Sequence, residues 1–153
     1  LVDDYVAHYN AHPCTRTYAY PGVPETLAEC TRRGLALAVA SNKPASIVTQ
    51  VADALGLGGY LHFVWGSDSF PVLKPDPGVL LHFMARTGLG PKEVLMVGDS
   101  AADVGCAANA GAWSCHFTTG YGTLAGSGLT PHWRIAAIPE LIPILDGKAP
   151  YHS

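Results

Sequence analysis

The sequence predicts an α/β fold with a parallel sheet and helices on both faces. Three observations predict it. Leu35–Ala40 and Val94–Val97 are short apolar runs without the polar alternation of a one-sided sheet, as expected of strands buried on both faces. Segments of helical period and length separate these and other short strand signals. Turn residues close nearly every segment, so strand and helix alternate along the chain, and right-handed crossovers follow from that order.

The elements read in order. Val2, Val6 and Tyr9 recur at i, i+4 and i+7, the stripe of an amphipathic helix, and residues 12–20 read as a linker. Pro24–Arg33 is helical, with Val23, Leu27 and Cys30 on one side and Gly34 as its stop. The strand Leu35–Ala40 follows. Pro44 suits a first helical turn, and that helix runs to Leu55, where Gly56-Leu57-Gly58-Gly59 breaks it. His62–Trp65 is a short strand and Gly78–Thr87 a helix. Val94–Val97 is the next strand, and a helix from Asp103 to Ala110 ends at Gly111. Trp113–Phe117 and Trp133–Ile135 are strands, and Pro139–Leu145 is a closing helix.

Composition narrows the function classes. At 153 residues the chain suits one domain, and its 48% hydrophobic content supports a core and argues against disorder. The net charge of −3, with only 9 Lys+Arg and no basic run, lacks the footprint of a nucleic-acid binder. No apolar stretch is long enough to span a bilayer, and no signal-peptide pattern occurs. Cys14, Cys30, Cys106 and Cys115 form no Cys-x-x-Cys pair and read as free thiols in a reducing compartment, the cytoplasm. His8 and His12 have the spacing of a metal-binding helical pair and Cys14 lies close, but Pro13 ends that helix and favours a solvated helix end. Trp113, His132 and Trp133 read as packing or surface residues.

The chemistry-bearing residues lie where strands end. Val94-Leu95-Met96-Val97 runs into Gly98-Asp99-Ser100-Ala101-Ala102-Asp103, with carboxylates four residues apart at a strand-to-helix turn. In open α/β sheets ligands bind at the carboxyl ends of strands. Hard oxygen ligands there suit Mg²⁺, which takes one or two carboxylates with water and substrate phosphate. The other strand run ends in Ser41-Asn42-Lys43-Pro44, and Lys74-Pro75-Asp76-Pro77 lies between. Each piece also has a plainer reading. Ser41-Asn42 suits a cap for the helix that follows. Lys74 suits a solvated loop, and Asp103 suits a carboxylate in a helix's first turn.

Joint order and spacing favour chemistry. Strand-Ser-Asn, Lys-Pro-Asp-Pro and strand-Gly-Asp-Ser-x-x-Asp resemble motifs two, three and four of the haloacid dehalogenase-like hydrolase superfamily. Tyr20-Pro21-Gly22-Val23, Ser41–Pro44, Lys74–Pro77 and Gly120-Tyr121-Gly122 look like its phosphoglycolate phosphatase branch. The resemblance covers about residues 18–146. It implies a Rossmann-like three-layer core over 19–153, with 1–18 as the end of a helical cap and its linker. It further implies a Mg²⁺-dependent phosphatase of small phosphorylated metabolites that works through an aspartyl-phosphate. Asp99 would hold Mg²⁺. Lys74 would supply fixed positive charge, and Asp103 would orient Lys74 or a metal-bound water. Ser41, with the backbone N–H groups of Asn42 and Lys43 opening a helix, would hold phosphate. Gly120-Tyr121-Gly122 reads as a loop at the rim of the site or as a plain turn.

The family's nucleophile motif, Asp-x-Asp-Gly-Thr, occurs nowhere in the sequence, and Asp3-Asp4 lacks both the preceding strand and the Gly-Thr. The chain therefore looks like the later part of a longer protein, without the central first strand and most of the cap. Such a chain is expected to fold poorly, because a missing central strand leaves backbone groups unpaired at about 1–3 kcal/mol each. The resemblance leaves three functions: the phosphatase, a related enzyme such as a dehalogenase or phosphohexose mutase, and a non-catalytic protein that binds phosphate or a partner. The metal motif speaks against the dehalogenases, which need no metal.

Overall fold

A computed structural model of the protein describes residues 19–147. The expected amino-terminal helix, the linker up to Tyr18 and the His8, His12 and Cys14 group lie outside the described residues. The chain divides into two compact units, one ending at Pro71 and one beginning at Val72.

In the first unit, helix α1 (Val23–Arg32) opens on Pro24 and ends before Gly34, whose φ of +76° lets the chain turn. Strand β1 (Ala38–Ala40), helix α2 (Ala45–Ala54) and strand β2 (Phe63–Trp65) follow. β1 and β2 pair in parallel, with Val39 opposite Val64. Val48 and Val51, one helical turn apart on α2, are fully buried against Val39, Ile47, Leu55 and Val64.

The first strand is half its expected length, for local reasons. The Leu35 N–H turns back to Cys30 O of α1 at 3.1 Å, and the Leu37 N–H donates to His62 Nδ1 at 3.0 Å. Side-chain and helix-end bonds thus take the donors that a longer ladder needs. Ala38 is exposed rather than buried, and β2 is the one strand that pairs with β1 among the described residues.

In the second unit, helix α3 (Gly78–Thr87), strand β3 (Leu95–Gly98), helix α4 (Ala101–Ala110), strand β4 (Trp113–Phe117), strand β5 (Trp133–Ile135) and helix α5 (Leu141–Leu145) follow in order. The strands form a parallel sheet ordered β3-β4-β5, with Gly98 opposite His116 and Cys115 opposite Trp133. α4 packs on β3 and β4, and α3 packs on α4. Phe117, Cys106, Ala107 and Cys115 are each 1% exposed or less and make the centre of the core.

The parallel α/β architecture is as the sequence predicts, and among the described residues its strands fall into two sheets, β1-β2 and β3-β4-β5. α4 begins at Ala101, two residues before the expected start, because Ser100 serves as its N-cap and Asp103 falls in its first turn. The closing helix is shorter than expected: Ile138–Glu140 is a 3-10 turn, and the helix proper starts at Leu141.

Cys30, Cys106 and Cys115 are free and buried, as the sequence suggested. Burial pushes the Cys106 thiol up to about 11 and Cys115 up to about 12, so both stay protonated and unreactive near neutral pH. No helix among the described residues is long and apolar enough to cross a membrane.

His132 is tied into this sheet. The Ser114 N–H donates to its Nδ1 at 3.0 Å, and the His132 N–H donates to Ser114 O at 3.1 Å. Trp113 meets its ring edge-on. Burial, and then the Lys92 charge, lower its pKa from the ordinary 6.5. A histidine with a depressed folded pKa stabilises above its unfolded value and loses that contribution as pH falls below it, because the unfolded chain then binds the extra proton. The urea midpoint should therefore fall between about pH 7.5 and about pH 5.5, and His132→Asn, which keeps an acceptor without titrating, should flatten part of that slope. Packing gives a second expectation. Phe117→Ala should cost about 3–5 kcal/mol by urea unfolding, whereas Val72→Ala, at a position 43% exposed, should stay within ~0.5 kcal/mol.

Candidate active site

The turn from β3 into α4 carries the carboxylates, and its geometry follows from short-range chemistry. Ser100 caps α4, its Oγ accepting the Asp103 N–H at 3.3 Å. Asp103 Oδ2 reciprocates, accepting Ser100 N–H at 3.2 Å and Ser100 Oγ–H at 2.8 Å. This capping box settles two of the helix's orphan donors and turns the Asp103 carboxylate back toward the strand end. Oδ1 is left to meet Lys74 Nζ, 2.5 Å away.

Lys74 is 8% exposed and Asp103 3%. The solvated-loop reading of Lys74 is thereby set aside. The first-turn reading of Asp103 and the Lys74-orienting geometry hold together in the same side chain.

The loop that delivers Lys74 is itself held on α4. Asn109 Nδ2 donates to Pro75 O at 3.0 Å, and the Cys106 thiol donates to Asp76 O at 3.3 Å. A Cβ on Gly105 would come within 3.0 Å of the Pro75 ring. Gly105, Cys106 and Asn109 share one face of α4, so the loop lies along that face. Asp76 then starts α3 by accepting the Gly78 N–H at 2.8 Å.

Asp99 is 3% exposed. Its Oδ2 accepts the Gly122 N–H at 3.0 Å, and its main-chain oxygen lies 3.1 Å from His116 Nε2. Glycine is required around it. A Cβ on Gly120 would sit 2.5 Å from the Asp99 side chain, one on Gly122 would sit 2.5 Å from Asp99 O, and one on Gly98 would collide with the Asp103 carboxylate. The Gly120-Tyr121-Gly122 segment is thus a loop laid against Asp99, with Tyr121 81% exposed.

Lys74, Asp99 and Asp103 are the buried Asp, Glu, Lys and Arg side chains among the described residues. Two of the three are carboxylates at one strand-to-helix turn, and Lys74 meets Asp103. Asp99 would supply a hard oxygen donor of the kind Mg²⁺ takes, and Mg²⁺ needs only one or two carboxylates from a protein. No group of three or more His, Cys, Asp or Glu placed to hold a metal ion occurs among the described residues.

The first unit holds the other sequence-predicted residues, Ser41, Asn42 and Lys43. Ser41 is 5% exposed and its N–H donates to Trp65 O at 3.0 Å. Ser41 Oγ accepts the Lys43 N–H at 3.0 Å, so residues 41–43 form a turn ahead of α2 rather than its first turn. The cap that the sequence offered to Ser41-Asn42 comes instead from Asp68, whose Oδ1 accepts the Ala45 N–H at 2.9 Å. Gly66 permits this turn, since a Cβ there would strike the backbone of Lys43 and Ala45. Asn42 is exposed.

The model of a family described as haloacid dehalogenase-like hydrolase matches residues 1–116. The chain belongs to that family. It is 39% identical over 115 residues to phosphoglycolate phosphatase 1 of Pseudomonas aeruginosa, covering 75% of this chain and 42% of that protein. It is 33% identical over 140 residues to a phosphoglycolate phosphatase of Pasteurella multocida, covering 91% of this chain and 62% of that protein. The crystal structure of a predicted phosphoglycolate phosphatase from Haemophilus somnus matches with a TM-score of 0.83 at 32% identity, over 91% of this chain and 62% of that one. The chain thus spans about two fifths to three fifths of the length of these relatives.

Sequence reasoning missed His116, Asp68 and the Gly105–Cys106–Asn109 face. Asp68 and Asn109 act through backbone groups distant in sequence, and no local signal marks them. His116 did carry a signal, an ionisable residue at a strand position flanked by Cys115 and Phe117.

The buried pair makes a stability prediction. Lys74→Met should cost about 3–5 kcal/mol, because it strands the Asp103 charge. Adding Asp103→Asn, which keeps an oxygen for Ser100, should return part of that loss. A double-mutant cycle by urea unfolding measures the coupling.

Proposed function

We propose that this chain contributes the Mg²⁺- and phosphate-facing half of a phosphatase that hydrolyses small phosphate monoesters, phosphoglycolate among them, in the cytoplasm. The observation that carries the reading is that Lys74, Asp99 and Asp103 are all buried, with Lys74 fixed against Asp103 at the turn that also carries Asp99. Similarity to the Pseudomonas aeruginosa and Pasteurella multocida phosphoglycolate phosphatases supports the substrate class. The free, buried thiols support a reducing compartment.

Each residue has a defined task in this reading. Asp99 holds Mg²⁺, which when bound offsets the charge of the phosphoryl group. Lys74 presents its ammonium to the phosphoryl oxygens and stabilises charge on the group in transfer. Asp103 fixes that ammonium from the opposite side, and Ser100 fixes Asp103. The Ser41 hydroxyl and the Asn42 N–H take part in phosphate binding, while the Lys43 N–H holds the Ser41 side chain.

The attacking carboxylate that the family uses has no match in the sequence. The 153-residue chain alone should therefore turn over p-nitrophenyl phosphate or phosphoglycolate with Mg²⁺ at well under ~1 s⁻¹, the low end for enzymes. A longer form carrying Asp-x-Asp-Gly-Thr should be active.

In that longer form, steady-state kinetics beside melting temperatures test the roles. Lys74→Ala should lower kcat by ~10²-fold or more. Lys74→Arg should restore only part, since a planar guanidinium replaces a compact ammonium. Asp99→Asn should raise the Mg²⁺ requirement and lower kcat sharply, while Asp103→Asn should cost ~10–100-fold. Unchanged kcat in Lys74→Ala would remove the trio from catalysis and defeat the reading.

A further inference from the structure

We infer that His116 is a positioning residue for Asp99, and that it acts on the metal ligand through its main chain. The inference rests on the assignment of Asp99 to Mg²⁺ made above.

His116 lies on β4 opposite Gly98, the residue immediately before Asp99. It is 9% exposed, and its Nε2 is 3.1 Å from Asp99 O. A carbonyl oxygen only accepts, so Nε2 carries the proton and donates. The imidazole therefore holds the Asp99 peptide from the β4 side, while the Gly122 N–H holds Oδ2 at 3.0 Å. One donor fixes the backbone of the residue and the other fixes its carboxylate. Together they leave the Cα–Cβ–Cγ segment little freedom to turn.

A ligand held in place before the ion arrives binds it more tightly, because less ordering is required at the moment of binding. Cys115 and Phe117 on either side of His116 are buried apolar positions. An apolar residue at 116 would leave the Asp99 carbonyl without this donor in a buried place.

The test is Mg²⁺ binding by isothermal titration calorimetry to the 153-residue chain and four variants, with melting temperatures alongside. Asp99→Asn should abolish binding. His116→Leu should weaken it by ~10–100-fold, the usual cost of losing a group that orients a ligand. His116→Gln, whose amide reaches about as far as Nε2, should recover most of that loss. Ser114→Ala, on the same strand, should shift the melting temperature without moving the Mg²⁺ affinity. NMR of the imidazole nitrogens in the unaltered chain gives an independent reading, and should find the proton on Nε2. Equal Mg²⁺ affinity in His116→Leu and the unaltered chain, or a proton on Nδ1 alone, would overturn the inference while leaving the metal assignment standing. An unaltered chain that binds no Mg²⁺ would overturn the assignment of Asp99 itself, and the inference with it. If His116→Leu does not fold, the Gln variant and the nitrogen-bound proton decide.

Discussion

Lys74 and Asp103 are opposite charges taken out of water, and the second unit is arranged around keeping them together. Removing either from solvent is costly, and the pair persists because each charge is met at close range. Asp103 meets Lys74 with one oxygen and Ser100 with the other, so the same carboxylate starts α4 and anchors a loop from far along the chain. The loop needs a track, which Gly105, Cys106 and Asn109 provide along α4. The helix start needs the carboxylate close to the strand end, which only a glycine at position 98 allows. Helix cap, loop path and glycine placement are consequences of one buried ion pair.

Asp99 is held on different terms. It sits in the same turn, but its fixing contacts come from β4 and from the loop beyond it, through His116 and Gly122. In the proposed function, a cation held by Asp99 and the Lys74 ammonium together offset the charge of a phosphate dianion. The backbone crowding at Gly120 and Gly122 works toward the same end, since it brings a main-chain N–H up to the carboxylate where a side chain would have kept it away.

Much of this was legible in the sequence. Trp113–Phe117, Trp133–Ile135 and Gly78–Thr87 run between the residues that the pattern indicates, because apolar runs bounded by glycine and proline leave few alternatives. Family membership was legible from three short motifs whose order matters more than any one of them. Less was legible where a side chain far along the chain replaced a local partner. His62 takes the Leu37 donor and shortens β1, and Asp68 replaces Ser41-Asn42 as the cap of α2. Lys74 reads as a loop residue until the fold buries it, since burial is set by α4 and not by its neighbours in sequence. The role of His116 depends on strand register, which places it opposite Gly98, and a single sequence does not state that register.

The central claim is that the Lys74 ammonium is locked against Asp103 inside the protein. NMR detection of the Lys74 ammonium protons in the 153-residue chain near neutral pH tests it directly, with half-buried Lys43 as an internal reference. The account predicts a resolved Lys74 ammonium signal that exchanges slowly with water and is lost or shifted in Asp103→Asn, while Lys43 exchanges too fast to be seen. A Lys74 ammonium that exchanges as fast as Lys43, indifferent to Asp103→Asn, would contradict it.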